Sequence, residues 1–380
     1  MVRKVFGKTG IELSTLGFGA MRLPTVIKGD QTYIDDDLAI PMMLKSFELG
    51  VNYIDTAPYY VEKLSEAAVG RALKAWKAQN KSEKIYVSTK YPTETEDFMG
   101  SLEKSLKQLD IDCVDFYHMW GIGGKSFREK VMPKGGPMDQ ALKAKEQGMI
   151  GHISFSYHDD PSNMKEIIDS GYFESVLLQY NLLDRSNAQN IDHAHAKGLG
   201  VVVMGPVAGG RLSAPSPVIE EAFGKIDQKP VGTPEVAMRY VLANPNVHMA
   251  LSGMETMQMV TENAAICARE WQFTPELQKS VADMLEETKR LSDLYCTGCN
   301  YCMPCAAELN IPRIFQYMNY HKIYGLTNWA KQQFAQIGNE PFGPKYKPVS
   351  SCTECGLCEE KCPQKLEIIK QLKETAKELA

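Results

Sequence analysis

Through residues 1–270 the chain alternates short, β-rich apolar runs with longer stretches in which apolar positions recur every three or four residues. The short runs predict strands at 16–20, 52–56, 84–89, 113–119, 149–156, 175–180, 200–204 and 247–252. The periodic stretches between them predict helices at 38–49, 64–78, 98–109, 140–147, 163–170, 188–197 and 234–243. Parallel strands need a crossover between them, so strict strand–helix alternation implies a parallel sheet. Eight such units over this length fit a (β/α)8 TIM barrel. A doubly wound sheet is the rival, but it asks for a Gly-rich first turn, and Gly17-Phe18-Gly19-Ala20-Met21-Arg22 lacks the third glycine.

The pattern changes after residue 270. Thr274-Pro275-Glu276 reads as a helix start, with a threonine cap and proline in the first turn, and the helix is expected to run to about residue 291. Two cysteine runs follow, joined by helical periodicity at 311–320 and 328–336 and closed by a helix at 366–379. The expected organisation is therefore a barrel over 1–285 and a small, mainly α-helical domain over 286–380.

Composition narrows the function. A net charge of −5 and a pI near 5.9 leave no electrostatic footprint for nucleic acid or an anionic membrane. The first residues, MVRKVFGKTG, carry no apolar leader, and no stretch is apolar for the length of a membrane span, so a cytoplasmic location is expected. In that compartment thiols stay reduced, and clustered cysteines read as metal ligands.

The second run, Cys352-x2-Cys355-x2-Cys358-x3-Cys362-Pro363, has the spacing at which three thiolates hold one 4Fe–4S cubane and the fourth reaches another. The proline stops a helix from continuing back through the last ligand. The first run, Cys296-x2-Cys299-x2-Cys302-x2-Cys305, is one residue shorter and has no proline. A zinc ribbon would want two pairs separated by a dozen or more residues, which two runs of four do not supply. Cys113 and Cys267 lie in apolar surroundings and read as core residues.

The joined runs resemble the α-helical ferredoxin modules of multi-subunit redox enzymes. That resemblance implies one cluster on Cys296, Cys299, Cys302 and Cys362, and a second on Cys305, Cys352, Cys355 and Cys358. In the barrel, Asp55-Thr56-Ala57-Pro58-Tyr59-Tyr60 followed by Leu64-Ser65-Glu66 resembles the second-strand signature of the aldo-keto reductases. Gly7-Lys8-Thr9-Gly10, Ser88-Thr89-Lys90, Gln179-Tyr180-Asn181 and Glu262-Asn263 extend the likeness over about residues 3–267.

The resemblance implies a carbonyl reduction in which Tyr60 donates a proton, Lys90 lowers its pKa and Asp55 orients Lys90. It also implies a histidine late in the fourth strand, where Asp115-Phe116-Tyr117-His118-Met119-Trp120 places Trp120 instead. His118 shares the strand face of Trp120, so either a bulge carries it to the site or the set is incomplete; a buried, hydrogen-bonded core histidine is the plainer reading. For a nicotinamide ring, Ser156 is retained while Leu177 and Met204 replace a glutamine and a stacking tyrosine. Gly205, Gly209, Gly210, Arg211 and Gly253 supply a phosphate-binding place at strands seven and eight. Glu255 in the adenosine loop would repel a 2′-phosphate, which favours NAD(H) over NADP(H), and Glu262 and Asn263 complete the cofactor set.

Three functions stay open on this reading. One is a nicotinamide-dependent reductase of a small carbonyl compound with structural or regulatory clusters. Another is a barrel holding FMN or FAD, since a flavin converts two-electron into one-electron chemistry and would link the barrel through the clusters to a ferredoxin-like or other electron-transfer partner. The third is an electron-carrier or docking subunit with an idle barrel. Substrate loops such as 121–137 name no substrate.

Overall fold

The computed structural model describes every residue except 96, 228–230, 272–273, 277–278, 281–282, 284–295, 297–299, 340–344 and 363–364. Eight parallel strands close a barrel in sequence order: β1 (Leu16–Gly19), β2 (Tyr53–Asp55), β3 (Tyr86–Pro92), β4 (Val114–Trp120), β5 (Ile150–Tyr157), β6 (Ser175–Gln179), β7 (Gly200–Met204) and β8 (Met249–Gly253). All eight expected strands form, with ends moved by a residue or a few. The expected crossover helices form too, among them Asp36–Glu48, Ser65–Ala78 and Phe98–Leu109.

Two antiparallel hairpins, Arg3–Val5 with Glu12–Ser14 and Thr25–Lys28 with Gln31–Ile34, escaped the periodicity because each strand is only three or four residues long. The first closes the N-terminal end of the barrel. Phe6 and Leu13 pack there with Tyr53, Phe116, Leu177, Val202, Met249 and Leu251. The Phe6 ring fills the space where a Cβ on Gly200 would stand, 2.4 Å from such an atom, so only glycine fits at the start of β7. Sealing one end leaves the other, at the C-terminal ends of the strands, as the place for chemistry.

The chain divides into two compact units, Met1–Gly209 with Ala237–Gln272, and Gly210–Val236 with Phe273–Ala380. In the second, helices Ile311–Tyr324 and Thr327–Ala335 and the final helix Ile368–Leu379 pack together, close to the expected spans. Leu309, Ile311, Ile314, Phe315, Ile368 and Leu372 form its buried core, and Cys302 and Cys362 belong to the same cluster. Each such aliphatic or aromatic side chain contributes about 1.5–3 kcal/mol by leaving water. Most of the helix expected from Thr274, the 285/286 boundary, Cys299 and Pro363 lie outside the described residues. Cys267 is fully buried as expected, whereas Cys113 is only half-buried at the edge of β4. Among the described residues no helix is long and apolar enough to cross a membrane.

Candidate active site

Asp55 ends β2, Lys90 lies within β3 and His118 within β4, and strand register brings them side by side. Gly19 pairs with Asp55, Asp55 with Ser88, Lys90 with His118 and Pro92 with Trp120. Lys90 Nζ donates to both Asp55 oxygens, at 2.8 and 2.5 Å, and to the Thr56 carbonyl at 2.8 Å. Ser88 Oγ adds a bond to Asp55 Oδ1 at 2.9 Å. Both charged residues are about 1% exposed. Burial of an ion pair is costly unless every polar atom is satisfied, and here the added serine and carbonyl bonds do that work.

Tyr60, just beyond β2, lays its ring over the ammonium with the centroid 4.6 Å from Lys90 Nζ. Burial raises the Tyr60 pKa, Lys90 opposes that rise, and the net position is above the ordinary phenol value. Lys90 lowers the Tyr60 pKa as expected, but desolvation outweighs it. Burial also pushes the Asp55 carboxyl up against the pull of Lys90, while Asp55 and Tyr60 hold the Lys90 ammonium charged against desolvation.

The β3–β4 register runs without interruption, so no bulge carries His118 toward the strand end. His118 is fully buried, and neither ring nitrogen makes a hydrogen bond. The expectation of a hydrogen-bonded core histidine is therefore corrected. Burial, then the Lys90 charge, lowers its pKa to about 3, and the Phe155 carbonyl opposes this without reaching bonding geometry. The imidazole is neutral. Trp120, two residues on and half-buried, meets Tyr60 edge-to-face at 5.9 Å and 90° and packs at 5.5 Å on the exposed Tyr59.

The expected cofactor residues are spread over the strand ends. Ser156 Oγ accepts from the Gly121 N–H at 2.8 Å, which leaves its proton free to donate. Met204 ends β7, half-buried against the interior cluster in which Leu177 is fully packed. Gly205 adopts φ 62° directly after Met204, and Gly253 ends β8. Asn263 Nδ2 donates to Ser252 Oγ at 3.2 Å, and exposed Glu262 accepts from Gln258 at 2.7 Å. Gly210 and Arg211 group instead with the C-terminal unit. There Arg211 donates to the Tyr320 hydroxyl and lies over the Tyr320 and Trp329 rings at 5.2 and 5.9 Å.

One residue escaped the sequence reading. Arg22, after β1, reaches Glu255 at 3.0 Å and the Gly209 carbonyl at 3.3 Å. It stands far from Glu255 in sequence, so only closure of the barrel between β8 and β1 shows the pairing.

Residues 15–286 match the family model "Aldo/keto reductase family". The chain belongs to the aldo/keto reductase family. A second model, "4Fe-4S dicluster domain", matches residues 295–367. Among curated proteins the chain is 27% identical over 283 residues to L-galactose dehydrogenase of Arabidopsis thaliana, covering 69% of this chain and 86% of that one. It is 23% identical over 300 residues to an uncharacterised oxidoreductase, YqkF, of Bacillus subtilis, covering 69% and 90%. Among solved structures the holo form of aldo-keto reductase AKR11C1 from Bacillus halodurans superposes with a TM-score of 0.59 at 25% identity, covering 74% of this chain and 96% of that one. This aldo/keto reductase is thus an oxidoreductase carrying an iron–sulfur dicluster domain.

The cysteines fit such clusters. Cys296, Cys305, Cys352 and Cys358 pack against the apolar cluster that contains Cys302 and Cys362, so both runs converge on one core. Burial raises the Cys358 thiol pKa, and the Glu359 carboxylate and then the Cys305 sulfur add to the rise. Among the described residues no three acidic, imidazole or thiol groups gather round a single ion.

Proposed function

We propose that the barrel, a domain over 1–285, reduces a small carbonyl or conjugated compound with NADH or NADPH, and that a second domain over 286–380 binds two 4Fe–4S clusters. The observation that carries the barrel half is the buried Asp55–Lys90 pair directly beneath the Tyr60 ring. Its raised pKa keeps Tyr60 protonated at neutral pH, as a proton donor requires. As the proton leaves the hydroxyl for the substrate oxygen, the Lys90 ammonium stabilises the phenolate that remains. Asp55 keeps Lys90 in place and charged. His118, neutral and without a partner, can donate or accept one hydrogen bond but carries no charge to the site. Trp120 and Tyr59 form an aromatic wall that favours flat, conjugated substrates.

A bound nicotinamide supplies the hydride. Ser156, Met204, Gly205, Gly253, Glu262 and Asn263 would hold it, with the Ser156 hydroxyl proton available to a carboxamide. The fit is looser than in a site with a stacking ring, because Met204 is flexible and Leu177 is committed to the core. Those same two residues favour the second reading, in which FMN or FAD occupies the mouth and exchanges electrons through the clusters with an external carrier. A soluble one-electron protein is the partner that reading requires.

Anaerobic purification followed by absorption spectroscopy and iron and sulfide analysis tests both halves. The proposal expects a broad cluster band at about 400 nm with about eight irons per chain, and turnover with a nicotinamide donor. Flavin peaks at about 450 nm would favour the second reading. Full cluster loading with turnover by neither route would leave an electron-carrier subunit with an idle barrel.

A further inference from the structure

His158 is the first residue beyond β5, and the alternation of that strand decides which way it faces. His152 stacks on the interior Phe116 at 4.9 Å and 21°, across the pairing of β4 with β5. Ser154 and Ser156 follow on the same face, and one further step brings His158 to it at the barrel mouth. The imidazole lies against Gly121, where an added Cβ would stand 3.8 Å from His158 Cδ2. Gly121 directly follows Trp120 and adopts φ 60°. Round the mouth the order is therefore Tyr60 after β2, Trp120 at the end of β4 and His158 after β5.

The residues beside His158 are committed to the protein. The Tyr157 hydroxyl donates to the Asp160 carbonyl at 2.5 Å. Asp159 Oδ2 accepts from the Gly124 N–H at 3.2 Å and from Asn163 Nδ2 at 3.1 Å, and Asp160 Oδ1 accepts from the Ser162 N–H at 2.9 Å. The turn is thus held in place, yet among the described residues no hydrogen bond, ion pair or ring contact engages the His158 imidazole. His158 is exposed, but loss of water around the ring, and then the Lys90 charge, lowers its pKa. A side chain that is open to solvent and still partly desolvated stands in a cleft, and this one is within reach of the charge that lies under Tyr60. His118, by contrast, is sealed from any ligand.

We propose that His158 is a specificity-determining residue that donates a hydrogen bond to a second oxygen of the substrate, so that the barrel takes flat, conjugated carbonyl compounds with a further oxygen acceptor remote from the reacting carbonyl. When the reacting carbonyl lies at Tyr60 and the skeleton lies on Trp120, the far end of a flat molecule points toward His158. Neutral imidazole carries one N–H donor, and the fixed turn leaves little freedom to be lost when it binds. Without that donor, the remote oxygen would leave water and gain no partner. This rests on the nicotinamide-reductase reading above.

The test uses the anaerobic holoprotein with NADH and two aldehyde probes of similar size. Methyl para-formylbenzoate carries an ester carbonyl as the second acceptor, and para-isopropylbenzaldehyde carries none. His158→Leu should lower the ratio of kcat/KM for the ester to that for the isopropyl compound about tenfold, chiefly through KM, as expected for one lost hydrogen bond. His158→Gln, which keeps an N–H donor, should restore most of that ratio. The difference in intrinsic reactivity between the probes cancels, because each variant is compared with the wild type. His158 is exposed, so neither change disturbs the core. An unchanged ratio in His158→Leu, or a fall that His158→Gln does not restore, would overturn the proposal and leave the reductase reading in place. Turnover of neither probe by the wild type, with NADH or with NADPH, would overturn that reading and this proposal with it.

Discussion

Lys90 and Asp55 are sealed inside the barrel with the ammonium on both carboxylate oxygens, at 2.8 and 2.5 Å. Removing one partner strands the other charge in a low-dielectric interior. Asp55→Asn should therefore cost about 3–5 kcal/mol of stability, or force Lys90 to lose its proton. Adding Lys90→Met to that variant should recover much of the loss, because no buried charge is left. Denaturant unfolding of the single and double variants, with cluster loading matched, measures both effects. Additive losses would show that the pair is not coupled.

His118 gives stability a pH dependence whose sign follows from its environment. Its folded pKa of about 3 lies below the ordinary value of 6.5. Below pH 6.5 the unfolded chain therefore takes up a proton that the folded chain refuses, and stability falls as pH drops toward 3. At pH 5 the loss is about 2 kcal/mol relative to the plateau above pH 7. His248, lowered to about 4 by burial and then by His195, acts in the same sense. His118→Leu should flatten the slope between pH 6.5 and 5. An unchanged slope would show that His118 is not buried neutral.

Glu255 and Arg22 form an exposed pair worth little to stability, and the proposed nicotinamide reading gives the pair a role in coenzyme choice. With the carboxylate in place, NADH should be preferred. Glu255→Gln removes the repulsion and releases the Arg22 guanidinium, so the ratio of kcat/KM for NADPH to that for NADH should rise several-fold. A ratio that does not move would place the adenosine phosphate elsewhere.

Trp120 offers a single N–H donor and a broad apolar face. Simple aldehydes should be held poorly, and aromatic or conjugated compounds better, through stacking with Trp120 and Tyr59. Trp120→His should raise turnover of simple aldehydes and lower that of the preferred substrate. Ordinary efficiency toward small aliphatic aldehydes in the wild type would contradict this role.

The barrel was legible because eight apolar runs with helical spacers leave few other folds, and because strand parity places Asp55, Lys90 and His118 on the inner face. Their balance of forces was not. The sequence shows that Lys90 lies near Tyr60 but not that desolvation exceeds its attraction, and it shows His118 on the face of Trp120 but not that the imidazole lacks a partner. Arg22 meets Glu255 only across the β8–β1 closure, and Arg211 meets Tyr320, contacts of long sequence separation that local pattern does not carry. The hairpins were missed for a simpler reason, since strands of three or four residues show no periodicity.

The most direct test of the barrel chemistry is Tyr60→Phe, which removes one hydroxyl and keeps the ring over Lys90. With a compound that the wild type reduces, kcat/KM should fall by about two to four decades, while nicotinamide affinity and iron content stay unchanged. Wild-type turnover in Tyr60→Phe would show that the Asp55–Lys90–Tyr60 group does not supply the proton, and would contradict the account.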